Sequence, residues 1–220
     1  MPMKLDWTKI DSIFLDMDGT LLDLHFDNYF WLEYVPSRYA EMHQLDLQQA
    51  KQSLMARYKK VEGTMEWYCI DYWTNELEID IAVLKQEVDH LIAVHPHVID
   101  FLDQASQSDK RVVLVTNAHG KSLELKMNRT QLGGHFDRLI CSHDFGIPKE
   151  QPDFWRKLNE KEPFDKKRTL LVDDSLSVLR SADQYGFDHL LAIYKPDSQA
   201  PARIIEEFPA LHNFQEIMPI

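Results

Sequence analysis

Apolar residues along this chain follow two periodicities, and the switch between them divides it. Short unbroken apolar runs mark strands buried on both faces. They occur at Ile13-Phe14-Leu15, from Arg111 to Thr116, from Arg138 to Ser142, from Thr169 to Asp173 and from His189 to Tyr194. From residue 98 onward these runs alternate with helical patterns. The helices are predicted over Val98 to Ser106, over Lys121 to Leu132 with Gly133-Gly134 closing it, over Pro152 to about Glu160, and over Ser175 to Tyr185 with Gly186 as the stop. That alternation predicts an α/β fold, a parallel sheet with helices on both faces. Between Asp27 and about Val94 the spacing is helical throughout. Leu47, Ala50, Leu54 and Val61 follow an Asp46 cap, and Ile81, Leu84, Val88, Leu91 and Ile92 follow an Asp80 cap. Between them lies Thr64 to Trp73, crowded with large aromatics. Pro96 in His95-Pro96-His97 breaks the last of these helices and ends the insertion.

Polar residues gather where the predicted strands end. Asp16 and Asp18 follow the first strand two positions apart, so both side chains point one way, and Gly19 frees the backbone to turn. Thr116-Asn117 ends the second strand, Lys149 follows the third, and Asp173-Asp174 ends the fourth. Ligands of open α/β sheets bind beyond the carboxyl ends of strands, so these residues are expected to meet. Two unit charges about 4 Å apart repel by roughly 4 kcal/mol at an effective dielectric near 20, and four crowded carboxylates therefore call for a cation. An all-oxygen donor set suits a hard divalent ion, and Mg²⁺ is the usual choice where phosphate oxygens complete the shell. Lys149 adds a positive charge and Thr116 a hydroxyl for phosphoryl oxygens. The chemistry these groups permit is phosphoryl transfer.

Charge narrows the substrate. With 24 basic and 36 acidic residues the net charge is −12, which speaks against a nucleic acid polymer as partner. No apolar run approaches a membrane span, and the first residues lack the apolar core of a leader peptide. Cys69 and Cys141 stand far apart and are expected to be reduced core residues, which points to the cytoplasm. A monomer acting on a small phosphate ester is expected.

The run Asp16-Met17-Asp18-Gly19-Thr20, with Thr116, Lys149 and Asp173-Asp174 in that order, resembles the four motifs of the haloacid dehalogenase superfamily. The resemblance implies a Rossmann-like core over 1–22 and 96–220 and an all-helical cap over 23–95. It implies that Asp16 is the nucleophile, that Asp18 is the general acid and base, and that Thr116 and Lys149 complete the catalytic set. Mg²⁺ would be held by Asp16, the Asp18 backbone carbonyl, Asp173 and Asp174. Dehalogenases of this superfamily lack the second aspartate because a halide needs no proton. Asp18 therefore favours a phosphatase or mutase. Leu15 to Trp31 and Glu66 to Trp73 look like the superfamily's bacterial nucleotidases for GMP and IMP. On that likeness a purine nucleotide is the expected substrate, bound by Gly19, Thr20, Asn28, Trp31, Trp73 and Asn117. Tyr68 is a further stacking candidate, and His25 and Asp27 further polar ones. His119 lies near enough to Thr116-Asn117 to touch phosphate or to be merely solvated. Alternatives are a sugar-phosphate or phosphoglycolate-type phosphatase, a phosphomutase, or a binding protein without catalysis. Many members carry proline directly after the lysine, whereas here Glu150-Gln151 intervenes before Pro152.

Overall fold

The computed structural model describes residues 5–219. The expected absence of a leader rests partly on residues 1–4, which lie outside the described residues. Strand β1, Ser12–Leu15, is buried at every position because both faces are covered. It leads into a helical segment: α1 (His25–Tyr29), α2 (Val35–His43), α3 (Leu47–Val61), α4 (Met65–Tyr68), α5 (Ile70–Leu77) and α6 (Ile81–Glu87). The α/β part then follows as α7 (Val98–Gln107), β2 (Arg111–Thr116), α8 (Gly120–Thr130), β3 (Arg138–Cys141), α9 (Pro152–Lys161), β4 (Thr169–Val172), α10 (Leu176–Tyr185), β5 (His189–Ile193) and β6 (Ala210–Leu211).

The six strands run parallel in the order β3-β2-β1-β4-β5-β6. Connections leave β1 in opposite directions, so the strand order reverses beside it, and ligands bind at such a switch point. Alternation along each strand feeds two separate apolar clusters. Ile13, Leu15, Val112, Leu114, Leu170 and Val172 belong to one, and Phe14, Val113, Val115, Leu171 and Ala192 to the other. The first continues through Met17, Leu21 and Leu22 into Phe26, Phe30, Leu54 and Trp73 of the helical segment. One apolar cluster therefore runs from a sheet face into the helices beyond it.

Capping follows the sequence at most ends. Asp46 accepts the amides of Gln48 and Gln49, and Asp80 that of Val83. Gly186 ends α10 at φ +106. Two expectations need correction. Gln131, not Gly133-Gly134, closes α8 in the left-handed region at φ 58, where its side-chain amide donates to the Asn128 carbonyl; the glycines fall in the following 3₁₀ turn. The helix expected from Ile81 to Ile92 stops at Glu87 and resumes as a 3₁₀ turn over Asp89–Leu91. The short β6 lacks any run long enough to be read. Between α1 and α2 the chain keeps coiling as a π-turn over Phe30–Tyr34, with the Val35 amide reaching back to the Phe30 carbonyl. Pro36, which has no amide hydrogen to give, sits at the start of α2 and accounts for the widened turn.

The helical segment leaves and rejoins the sheet at one narrow place. The Asp23 amide bonds the Ala93 carbonyl and the His95 amide the Leu21 carbonyl, each at 2.9 Å, around an antiparallel Leu22–Val94 bridge. The Leu24 amide and His95 Nε2 both meet the Pro196 carbonyl, at 2.8 and 3.0 Å.

Gly19 turns the chain after β1 at φ +84, and a Cβ there would stand 2.8 Å from the Asp174 carboxyl carbon. Gly63 has a similar φ of +77 with nothing within 4 Å of a Cβ. Gly63→Ala is expected to cost only the left-handed conformation, about 1–2 kcal/mol. Gly19→Ala is expected to cost clearly more, because the carboxylate must also move. Denaturant unfolding of both variants checks this. Equal losses would show that the close approach to Asp174 carries no weight.

Candidate active site

Asp16 extends β1 by one step, its amide donating to the Val172 carbonyl at 3.0 Å. β1 pairs with β4, so Asp173 emerges beside it. Lys149 arrives from the loop after β3 and is almost fully buried. Its Nζ donates to Asp16 at 2.6 Å, to Asp173 at 2.7 Å and to the Val115 carbonyl at 2.8 Å. Burial alone would lower the Lys149 pKa, but the two carboxylates outweigh it and raise it. Its backbone is held as firmly. The amide donates to Asn117 Oδ1 at 2.9 Å and the carbonyl accepts the Ser181 hydroxyl.

Asp16, Asp173 and Asp174 form a cluster whose carboxylate oxygens lie within 4.8 Å of one another. Burial pushes the Asp173 carboxyl well up despite Lys149. Burial and the Asp16 charge raise Asp174 to about 7, against the pull of Arg203 Nη1 at 3.3 Å. The oxygen-only donor set is one that fits a hard divalent cation. Asp18 does not join it through its carboxylate. That group accepts from Lys126 Nζ at 2.6 Å. Although its side chain keeps 22% exposure, burial raises it to about 6, with Asp27 and Asp16 adding to the rise against Lys126.

Thr116 takes the Ala118 amide at 3.0 Å, which leaves its own hydroxyl hydrogen to donate. The Thr20 hydroxyl is buried without a partner among the described residues. Asn117 is spent on the scaffold, since Nδ2 donates to Glu150 at 2.9 Å while Oδ1 holds the Lys149 amide.

Asp16, Asp18, Thr116, Lys149, Asp173 and Asp174 line a cavity of about 680 Å³ between the strand ends and the helical segment. Its far walls are apolar and aromatic, with Trp31, Leu32, Met55, Tyr58, Trp67 and Tyr68. Trp31 stays partly exposed. Trp73 also borders the cavity but is only 1% exposed, edge-on to Tyr58, with its indole N–H donated to the Trp67 carbonyl. Asn28 borders it too, with its amide on Asp197 at 2.7 Å. His25 turns instead toward Asp197, 3.8 Å away, and does not line the cavity. His119 lines it while accepting the Lys121 amide.

Reading the sequence missed three residues at this site, Lys85 and Glu150 in the cavity wall and Lys126 behind it. Lys126 on α8 binds Asp18 and also Asp27, both at 2.6 Å, and Lys85 on α6 binds Asp27 at 2.9 Å. Burial opposes the Asp27 charge, but the two lysines outweigh it and hold its pKa at about 2. Glu150, one of the residues intervening before Pro152, accepts both the Asn117 amide and the Tyr68 hydroxyl and so ties the aromatic wall to the strand ends. Only helical spacing hinted at any of them: Lys126 follows Ser122 by four positions and shares its buried face.

The family model described as haloacid dehalogenase-like hydrolase matches residues 13–192. The chain is 36% identical over 219 residues to the GMP/IMP nucleotidase YrfG of Escherichia coli (strain K12), covering 100% of this chain and 99% of that one. It is 25% identical over 186 residues to the pyrimidine 5′-nucleotidase YjjG of the same organism, covering 79% of each. Among solved structures, a HAD phosphatase from Thermococcus onnurineus superposes with a TM-score of 0.79 at 18% identity, over 94% of this chain and 96% of that one. The magnesium-bound putative HAD-hydrolase YfnB from Bacillus subtilis gives 0.64 at 19%, over the same shares. Sheet order, strand-end carboxylates and full-length likeness agree: this chain belongs to the haloacid dehalogenase-like hydrolase family.

Proposed function

We propose that this chain is a Mg²⁺-dependent phosphatase that removes phosphate from purine nucleoside 5′-monophosphates, with GMP and IMP preferred. The observation that carries this reading is an aromatic-walled cavity whose floor holds Asp16, Asp18 and Lys149. The GMP/IMP activity of a relative alike along its whole length supports the choice of base.

In this reading Asp16 attacks phosphorus, forming an O–P bond as the P–O bond to the nucleoside breaks. Asp18 gives its proton to the leaving 5′ oxygen. With a pKa raised to about 6 it holds that proton on a fraction of molecules near neutrality. It then takes a proton from the water that attacks the aspartyl phosphate, releasing phosphate and restoring Asp16. Lys149 and the Thr116 hydroxyl neutralise and orient the phosphoryl oxygens. Mg²⁺ held by Asp16, Asp173, Asp174 and the Asp18 carbonyl would supply further charge neutralisation at the phosphoryl group. Residues 23–95 act as the cap over a core of 1–22 and 96–220. Trp31, with Trp67 and Tyr68, offers the base flat faces, and Asn28 offers the ribose a polar edge.

Asp16→Asn is expected to lower kcat by at least about 1,000-fold, since an amide cannot form the acyl phosphate. Phosphate release measured beside circular dichroism checks this. Activity within tenfold of the native chain would remove Asp16 from its role.

The substrate claim is tested at equal subsaturating concentrations. The kcat/KM for IMP and GMP should exceed that for AMP, glucose 6-phosphate and phosphoglycolate, with at least about 10-fold over the last two, a difference of 1.4 kcal/mol. Trp31→Ala should raise KM for IMP by roughly 5- to 100-fold, as loss of base stacking does, and affect p-nitrophenyl phosphate much less. A sugar phosphate that outruns IMP refutes the base-stacking cap and leaves the core chemistry standing.

The carboxylate pKa shifts carry a sign. Asp18 and Asp174 hold protons up to about 6 and 7 in the folded chain, against an ordinary 3.8. The native state therefore binds more protons between about pH 4 and 7, and stability falls as pH rises through that window. Asp27, shifted downward, acts only below it. The metal-free chain is thus expected to melt at a lower temperature at pH 8 than at pH 5.5. Mg²⁺ should raise the melting temperature more at pH 8, where the cluster is ionised. Equal Mg²⁺ effects at both values would contradict this.

A further inference from the structure

A second group of metal-ligating side chains lies at the edge of the cavity, away from the aspartates. Cys69 sits between α4 and α5, His119 in the turn after β2, and His143 in the 3₁₀ turn after β3. The Cys69 sulfur and one ring nitrogen of each histidine lie within 4.8 Å of one another. The two rings meet edge-on at 5.0 Å. All three residues are half-buried, and His143 Nε2 is buried with no hydrogen-bond partner among the described residues. A buried orphan nitrogen costs free energy unless something takes its lone pair or proton.

We propose that Cys69, His119 and His143 form a binding site for a borderline-soft divalent cation of the Zn²⁺ class, bracing the helical segment against the strand ends. One thiolate and two imidazoles make the donor set that such ions select and Mg²⁺ does not. In a tetrahedral shell the ligand atoms stand about 3.5 Å apart, so side-chain rotations of roughly an ångström close the site. Burial lowers the pKa of both histidines, which keeps the rings neutral and able to ligate. On binding, the Cys69 thiol loses its proton to solvent as the metal–sulfur bond forms. His119 gives up one contact, either the long 3.3 Å bond from the Lys121 amide to Nδ1 or the 3.7 Å approach of Asp71 to Nε2. The Asp71 carboxylate or a water is available for the fourth position. Cys69 also takes the Tyr72 amide at 3.4 Å as the cap of α5. Serine serves that cap equally well, so Cys69→Ser removes the ligand and keeps the fold.

The test adds one equivalent of Co²⁺ to the full-length chain in a large excess of Mg²⁺, which occupies the aspartates. A near-ultraviolet thiolate-to-metal charge-transfer band is expected. It should vanish on addition of Zn²⁺, be absent in Cys69→Ser and persist in Cys141→Ser. In His143→Ala the affinity should fall by more than about 100-fold, beyond what loss of an outer-shell partner costs. Under the same excess of Mg²⁺, one equivalent of Zn²⁺ should raise the melting temperature of the native chain and not that of Cys69→Ser. No band in the native chain, or a band that survives Cys69→Ser, overturns the site. A band without the difference in melting temperature overturns the brace.

Discussion

The ammonium of Lys149, pressed between Asp16 and Asp173, is the contact on which the rest of the site depends. The ammonium is buried, and the two carboxylates outweigh the cost of that burial and keep it charged. The fold exists around that arrangement. Parallel pairing of β1 with β4 sets the two aspartates side by side. Asn117 and Ser181 grip the backbone of Lys149 from two different elements. Removing one partner would leave an uncompensated charge in a dry place.

A second charged group stands one step outward and obeys the same rule. Lys126 lies between Asp18 from the strand end and Asp27 from α1, and Lys85 completes the balance from α6. Both lysines rest near the ring of Phe26, at 5.2 and 4.9 Å, where cation–π attraction offsets part of their lost hydration. The proposed proton donor is thereby fixed by a lysine that also grips the helical segment. The aromatic wall is joined to the floor by a third polar contact, Tyr68 to Glu150. The two parts of the chain are thus joined by charge and hydrogen bonding as well as by oil.

How much of this could be read beforehand follows from the range of each interaction. Five strands announced themselves because burial on both faces leaves uninterrupted apolar runs. The strand-end residues were legible because parallel strands all deliver their carboxyl ends to one edge. β6, at two residues, is shorter than any pattern. Lys126 and Lys85 stayed hidden because a lysine on a helix reads as solvent-facing until its distant carboxylate is known; Asp18 and Lys126 are 108 positions apart. Glu150 looked like an irregularity in a motif and proves to be a cross-link. Trp31 and Trp73 could not be ranked from sequence, since aromatics at helical spacing pack and line cavities alike. Only the fold reveals that one is sealed by its neighbours while the other keeps an open face.

The narrow neck at Leu22 and Val94 has a consequence for the inserted stretch. About seventy residues enter and leave through a single bridge, and both crossings are pinned to one carbonyl, that of Pro196. With the ends held together by the core, lengthening or rebuilding the inserted stretch adds little closure entropy, growing only with the logarithm of its length. Strand register and the positions of Asp16, Lys149 and Asp173 need not shift when it does. The sheet edge can therefore carry an inserted stretch of another length or shape without moving those three side chains, much as a bracket holds fittings of different sizes.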